Sequence, residues 1–135
     1  MQCGTGCSDC CHVRLTITTV EAAAIRDEVV TWAPGRRAAL AANIAAAPAD
    51  QCVALDASGR CLVYDVRPIV CRSHGAPVRM TERSLPVIES CFRNFTRLTP
   101  DPDCVIDQTT LSALVLAVNA GDDTRVDLAE LLSSC

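Results

Sequence analysis

The 135-residue sequence contains no lysine: all twelve basic residues are arginine, against sixteen acidic ones, for a net charge of −4. That absence excludes Schiff-base chemistry and a lysine general base. The arginines are scattered, so no concentrated basic face marks a nucleic-acid binder. Aromatics are scarce as well, only Trp32, Tyr64, Phe92 and Phe95, and a core has to be assembled from Leu, Val, Ile and Ala. Long apolar runs are missing: stretches such as 111–118 fall far short of the roughly 20 residues that cross a bilayer, so no membrane partner is expected. The chain runs straight into Gln2-Cys3 with neither a basic nor an apolar signal region, and a reducing, cytoplasmic location is the expectation. No Ser-His-Asp set, Walker-type loop or dinucleotide fingerprint occurs, and no residue is assigned a catalytic role.

What the chain has in quantity is cysteine, ten in all. Cys3, Cys7, Cys10 and Cys11 fall within nine residues, and Cys52, Cys61 and Cys71 follow about forty residues on. In a reducing compartment such density points to metal-bound thiolate rather than to a disulfide framework. On a helix the first four cysteines would stand at i, i+4, i+7 and i+8, on one face. Gly4 and Gly6 argue instead for a loop in which Cys7-x2-Cys10 forms a two-ligand knuckle, with the intervening amides free to donate to sulfur. Side chains of neighbouring residues usually diverge, so Cys10 and Cys11 are expected to serve different centres, or one of them to be non-ligating. Buried reduced thiols and an oxidised disulfide set are the competing readings. Soft thiolates suit zinc, iron–sulfur clusters and copper(I). Copper ranks third, because a multi-thiolate copper store needs cysteines lining a helical bundle, and here most lie in loops. His12 and His74 adjoin the cysteines and read as solvated or locally hydrogen-bonded, His74 being the better candidate donor.

Alternation over Val13 to Thr19 predicts a short strand. Thr18 followed by Glu21 is a capping box for a helix over 20–32, with Val20, Ala24, Ile25 and Val29 at helical spacing. Pro34-Gly35 interrupts it, and a second helix over 36–47 stops at Pro48, giving a helical hairpin. The segment 52–77 reads as connected loop, with a turn at 56–59 and a brief β-prone run at 61–66 closed by Arg67-Pro68. Two prolines make 99–103 a hinge, beyond which two helices occupy 108–133, the last with Thr124 as its candidate cap. The expected fold is mainly α: one small domain over 1–135 whose short β or irregular cysteine-rich loops wrap a metal centre.

The opening Cys3-Gly-Thr-Gly-Cys7-Ser-Asp-Cys10-Cys11, Glu21 in the following helix, Cys52-Val-Ala-Leu, and Gly59-Arg-Cys61-Leu-Val-Tyr64-Asp-Val-Arg67-Pro68-Ile-Val-Cys71-Arg72 together resemble the YkgJ-type (CxxCxxCC) cysteine-cluster family, over about residues 3–95. The resemblance implies zinc or iron chelation with a metal ion as partner. It nominates Cys3, Cys7, Cys10, Cys11, Cys52, Cys61, Cys71 and Cys91 as ligands and leaves Cys104 and Cys135 outside the pattern. Where relatives often carry proline after the first cysteine of the second group, this chain has Val53. Related cysteine motifs occur in a flagellin lysine methylase that resembles an iron–sulfur enzyme, so an iron–sulfur redox or radical enzyme, or an electron carrier, is the alternative to a chelating or structural protein. Four thiolates around zinc or a [4Fe–4S] cluster leave a net charge of about −2, which nearby guanidinium groups offset. Arg67 and Arg72 are the candidates for that cofactor-binding role, with pairing of Arg67 to Asp65 as the competing reading.

Overall fold

The computed structural model describes Gly4 and residues 6–135. Their packing divides into two compact units, residues 6–68 with 122–135, and residues 69–121 with Gly4; the first is called here the cored unit and the second the hairpin unit. Five α-helices and five short strands lie among the described residues. Helices predominate as expected, but the strands, two of which form a hairpin the sequence did not announce, make the fold mixed α/β.

In the cored unit, β1 (Thr16–Thr18) pairs antiparallel with β5 (Arg125–Asp127), bringing the end of the chain beside its start. Thr18 then caps α1 (Thr19–Val30): the Glu21 N–H donates to Thr18 Oγ1 at 3.4 Å and the Thr18 N–H to Glu21 Oε2 at 2.9 Å. Such a cap contributes about 1 kcal/mol. The apolar face of α1 differs from the expected one, for Ala22, Ile25 and Val29 are buried while Val20 and Ala24 are exposed. At about 100° per residue, Ala22 falls within roughly 60° of Ile25 and Val29, whereas Val20 and Ala24 are turned about 100° or more away. Trp32 continues the same face, its indole N–H donating to Glu28 Oε1 at 2.9 Å and its ring carrying the Arg36 guanidinium at 3.5 Å.

Proline at the first turn starts α2 (Pro34–Ala46), where a missing N–H costs nothing. The last helix, α5 (Leu128–Ser133), packs against both α1 and α2, so the expected helical pair is completed by the chain's end. Its cap is Asp127, not Thr124: Asp127 Oδ1 accepts from the Ala129 and Glu130 N–H groups at 2.7 and 3.1 Å. β5 occupies 125–127, which moves the helix boundary three residues on. Leu128, Leu131 and Leu132 join Ile17, Ile25, Val29, Trp32, Leu40, Val53 and Val63 in one core, each large side chain contributing about 1.5–3 kcal/mol by leaving water.

The hairpin unit is built on backbone pairing. It comprises α3 (Ile69–Ser73), β2 (Val78–Glu82), β3 (Leu85–Glu89), β4 (Ile106–Asp107) and α4 (Gln108–Val118), with sheet order β3-β2-β4. β2 runs antiparallel to β3 and parallel to β4. The hairpin turns through Arg83 and Ser84, both at positive φ (48° and 67°), the mirrored turn that glycine or asparagine normally announces. Neither is present, and Pro86 stands within β3, so the usual signals for a hairpin are missing. Pro86 is tolerated because β3 is an edge strand. The expected hinge holds a 3-10 turn, Pro102–Cys104, and Asp107 caps α4 by accepting from the Thr110 N–H at 2.9 Å. No helix among the described residues is long and apolar enough to cross a membrane.

Candidate metal centre

The first cysteine group ends in a 3-10 turn over Asp9–Cys11, closed by the Cys11 N–H donating to the Ser8 carbonyl at 2.8 Å. The second group begins where the Cys52 N–H donates to the Cys11 carbonyl at 2.7 Å, a bond between residues far apart in sequence. Cys52 is held from below by α2: the Asn43 amide donates to the carbonyls of Val53 and Leu55 at 2.6 and 3.0 Å, and Val53 and Ala54 are buried in the core. From there the chain turns at Asp56, whose Oδ1 accepts from the Ser58 hydroxyl, the Arg60 N–H and the Ser58 N–H at 2.7, 2.8 and 2.9 Å. These bonds, that from the Ser58 hydroxyl foremost, hold the Asp56 carboxyl below its usual range. Gly59 completes the turn at φ 76°, with the Gly6 carbonyl 3.3 Å from where a Cβ would stand, so a side chain there would meet both strain and backbone. A bridge between Leu55 and Cys61 and the Leu62 N–H to Ala54 carbonyl bond at 2.8 Å then close the loop.

The result brings four thiols within electrostatic reach of one another. Cys10 and Cys11 hydrogen-bond to one another, and Cys11 also lies within electrostatic reach of Cys52 and Cys61. Burial first, then the Cys10 charge and hydrogen bond, then Cys52 and Cys61, push the Cys11 thiol up to about 12. Cys10 and Cys11, expected to serve different centres or to leave one non-ligating, lie within interaction distance of one another. Burial likewise raises Cys52, with Cys10 adding to it, while the N–H groups of Ala54 and Leu55 pull it back. Cys61 is raised by burial and, less, by Cys52 and Cys10; the Val63 N–H and the Arg67 guanidinium oppose this. Amide N–H groups donate to the sulfurs of Cys52 and Cys61. Arg67 is fixed by its Nε–H donating to the Tyr64 carbonyl at 2.9 Å and by stacking 3.5 Å over the Tyr64 ring.

Cys11, Cys52 and Cys61, each raised by burial first and by neighbouring cysteines after it, resist ionising together unless a cation compensates them. A soft, thiophilic cation such as zinc or iron is the chemical match to this donor set. Among the described residues the thiols are gathered but not drawn to one point, since no three His, Cys, Asp or Glu side chains form a closed metal-binding group. The described cysteines form no disulfide with one another.

The other nominated residues are placed differently. Cys7 is half-buried in the cored unit; Cys71, on α3, and Cys91, just after β3, are half-buried in the hairpin unit. Cys3 lies outside the described residues. Arg72, in the last turn of α3, is exposed in the hairpin unit. His12 and His74 are exposed, and the His74 N–H donates to the Val70 carbonyl at 3.1 Å. Cys104 and Cys135 are exposed, and the Cys135 sulfur sits 3.3 Å from the Leu131 carbonyl. Sequence reading missed Asn43, which positions the Cys52 loop. A signal was available: it is a half-buried polar residue three positions after buried Leu40, in the otherwise apolar C-terminal part of α2.

Comparison with curated proteins and with solved structures found no match. The sequence profile of one family, CxxCxxCC, described as a "putative zinc- or iron-chelating domain", matches residues 2–93 and so spans the thiol cluster, α1, α2, α3 and the whole β2–β3 hairpin. By that match over more than half its length, the chain belongs to the CxxCxxCC family of zinc- or iron-chelating domains.

Proposed function

We propose that the chain binds zinc or iron through cysteine thiolate, with Cys10, Cys11, Cys52 and Cys61 as the central ligand set. The observation that carries this is the convergence of thiols from two distant segments, tied by the Cys52 N–H to Cys11 carbonyl bond. Cys3, Cys7, Cys71 and Cys91 complete the family's cysteine pattern and are retained as proposed donors. Arg67 offsets part of the thiolate charge from beside Cys61, and Arg72 is proposed for the same work at Cys71. Because thiols must lose protons to bind, loading releases protons and affinity weakens as pH falls.

A second reading, an iron–sulfur electron carrier or enzyme, is favoured by the amide N–H groups aimed at Cys52 and Cys61, the kind of bond that tunes cluster potentials. One experiment separates the two: metal analysis and an absorbance spectrum on protein purified without oxygen. Colourless protein with one zinc per chain supports a chelating site on the central four thiols. Brown protein with iron and sulfide in equal amounts supports the cluster. Reduced protein that takes up neither metal overturns the proposal.

A further inference from the structure

Among the long helices, α4 is the one without a charged residue, whereas α1 presents Arg26 and Asp27 and α2 presents Arg36 to solvent. It packs against β2 and β4, with Leu111 and Val115, one turn apart, half-buried. None of its residues is buried, and Leu114, Leu116 and Val118 are 59, 48 and 70% exposed. Ala113 to Val118 are consecutive apolar residues, which at about 100° per residue leave that half of the helix no polar side. A helix apolar all round is normally enclosed on every side. Here the sheet covers one side only.

We infer that a second copy of this chain covers α4, two hairpin units pairing face to face as a two-fold symmetric dimer. Charge singles out this occupant. In residues 69–121, Arg72, Arg79, Arg83, Arg93 and Arg97 balance Glu82, Glu89, Asp101, Asp103 and Asp107, so the unit is neutral and the chain's charge of −4 lies entirely in the remainder. Copies that meet through the hairpin unit bring no net charge together, and across a two-fold axis an uncharged apolar face is its own complement. A nucleic acid, an anionic membrane or a strongly charged protein would find no counter-charge on α4. The available area agrees with a dimer. Leu85, Phe92, Leu98, Leu114, Leu116 and Val118 of this unit are 48–78% exposed, on the order of 800 Å² in all, which is about what one partner contributes to a standard-size interface. Pro86 guards the edge strand β3 against pairing with a further strand, so side chains rather than a continued sheet make the contact. The pairing needs no bound metal and is independent of the thiolate centre.

The test is sedimentation velocity on the full chain in reductant, from dilute to concentrated protein, metal-free and in parallel with zinc added. The expected result is one chain's mass when dilute, giving way to two chains' mass as concentration rises, with Leu116→Glu holding the protein at one chain throughout. Exposed residues of α4 add little to the fold of the dilute monomer, so Leu116→Glu is expected to keep the wild-type circular dichroism and dilute thermal midpoint. If it does not, Ala113→Glu, on the same outward side of α4, gives the same reading. A wild-type chain that stays monomeric at the highest concentration, a dimer that both variants leave intact, or a monomer that instead floats with phospholipid vesicles overturns the inference. Because metal-free protein gives the readout as well, failure of the proposed metal centre leaves this result separately readable.

Discussion

The two units handle their apolar residues in opposite ways. Residues 6–68 and 122–135 bury a continuous set from Ile17 to Leu132. In residues 69–121 no Leu, Ile, Val, Met or Phe is buried, and Leu85, Phe92, Leu98 and Val118 are 66–78% exposed. The hairpin unit is held by strand pairing and by contacts such as the buried Asn94 amide donating to the Gly75 carbonyl at 2.8 Å. The thiol cluster sits in the unit that has a core, and this is the physical point of the contrast. Val53, Ala54 and Val63 are neighbours of Cys52 and Cys61 in sequence, so ligand positions inherit the rigidity of packed residues. The family match stops at residue 93, yet β5 and α5 beyond it supply Leu128, Leu131 and Leu132 to the core beneath the site.

The contrast can be broken most directly at the metal. Binding at thiolate sites is worth on the order of 10 kcal/mol, so Cys52→Ser or Cys61→Ser is expected to lower metal content and thermal midpoint together, whereas Cys135→Ser changes neither. Equal losses from Cys71→Ser would place bound metal in the hairpin unit as well. Next in size, Leu131→Ala should cost about 2–5 kcal/mol in denaturant unfolding by leaving a cavity; a cost below about 1 kcal/mol would show that the core is not what holds the cored unit together.

Alkaline titration sharpens the comparison further. In metal-free protein the folded Cys11 thiol titrates near 12 rather than at the ordinary 9.0. The folded state therefore holds its proton where the unfolded chain has lost it. That contribution is fully present below about pH 9 and is lost as pH rises toward 12, so chemical denaturation midpoints should fall across this window, and Cys11→Ala should flatten the fall. Thr18→Ala, removing the cap of α1, is expected to cost about 1 kcal/mol. Smallest of all, Leu114→Ala on the exposed side of α4 should change stability by less than about 0.5 kcal/mol, and a larger loss would mean that the hairpin unit leans on its surface residues.

Much of the cored unit was legible because its signals are local. The Thr18–Glu21 box and the Asp56 to Gly59 turn each act over a few residues, and each appears where the sequence placed it; Pro34, expected to lie in a break before the second helix, instead opens α2. The β2–β3 hairpin was not legible, because its turn is made by Arg83 and Ser84 without glycine, and the parallel partner β4 comes from residues far along the chain. The run at 61–66, expected to be β-prone, became one bridge at Cys61 and a 3-10 turn over Tyr64–Val66, since its apolar residues face the core rather than a second strand.

From sequence alone came the family, the thiolate chemistry, and the two groups of cysteines that carry it, because donor type and spacing are written in the order of residues. Only the tertiary structure decided which thiols meet. Whether Cys11 reaches Cys52 depends on a backbone hydrogen bond across about forty residues, and whether Cys10 stands exposed depends on what packs around its turn. Both are outcomes of core assembly, which no local pattern encodes.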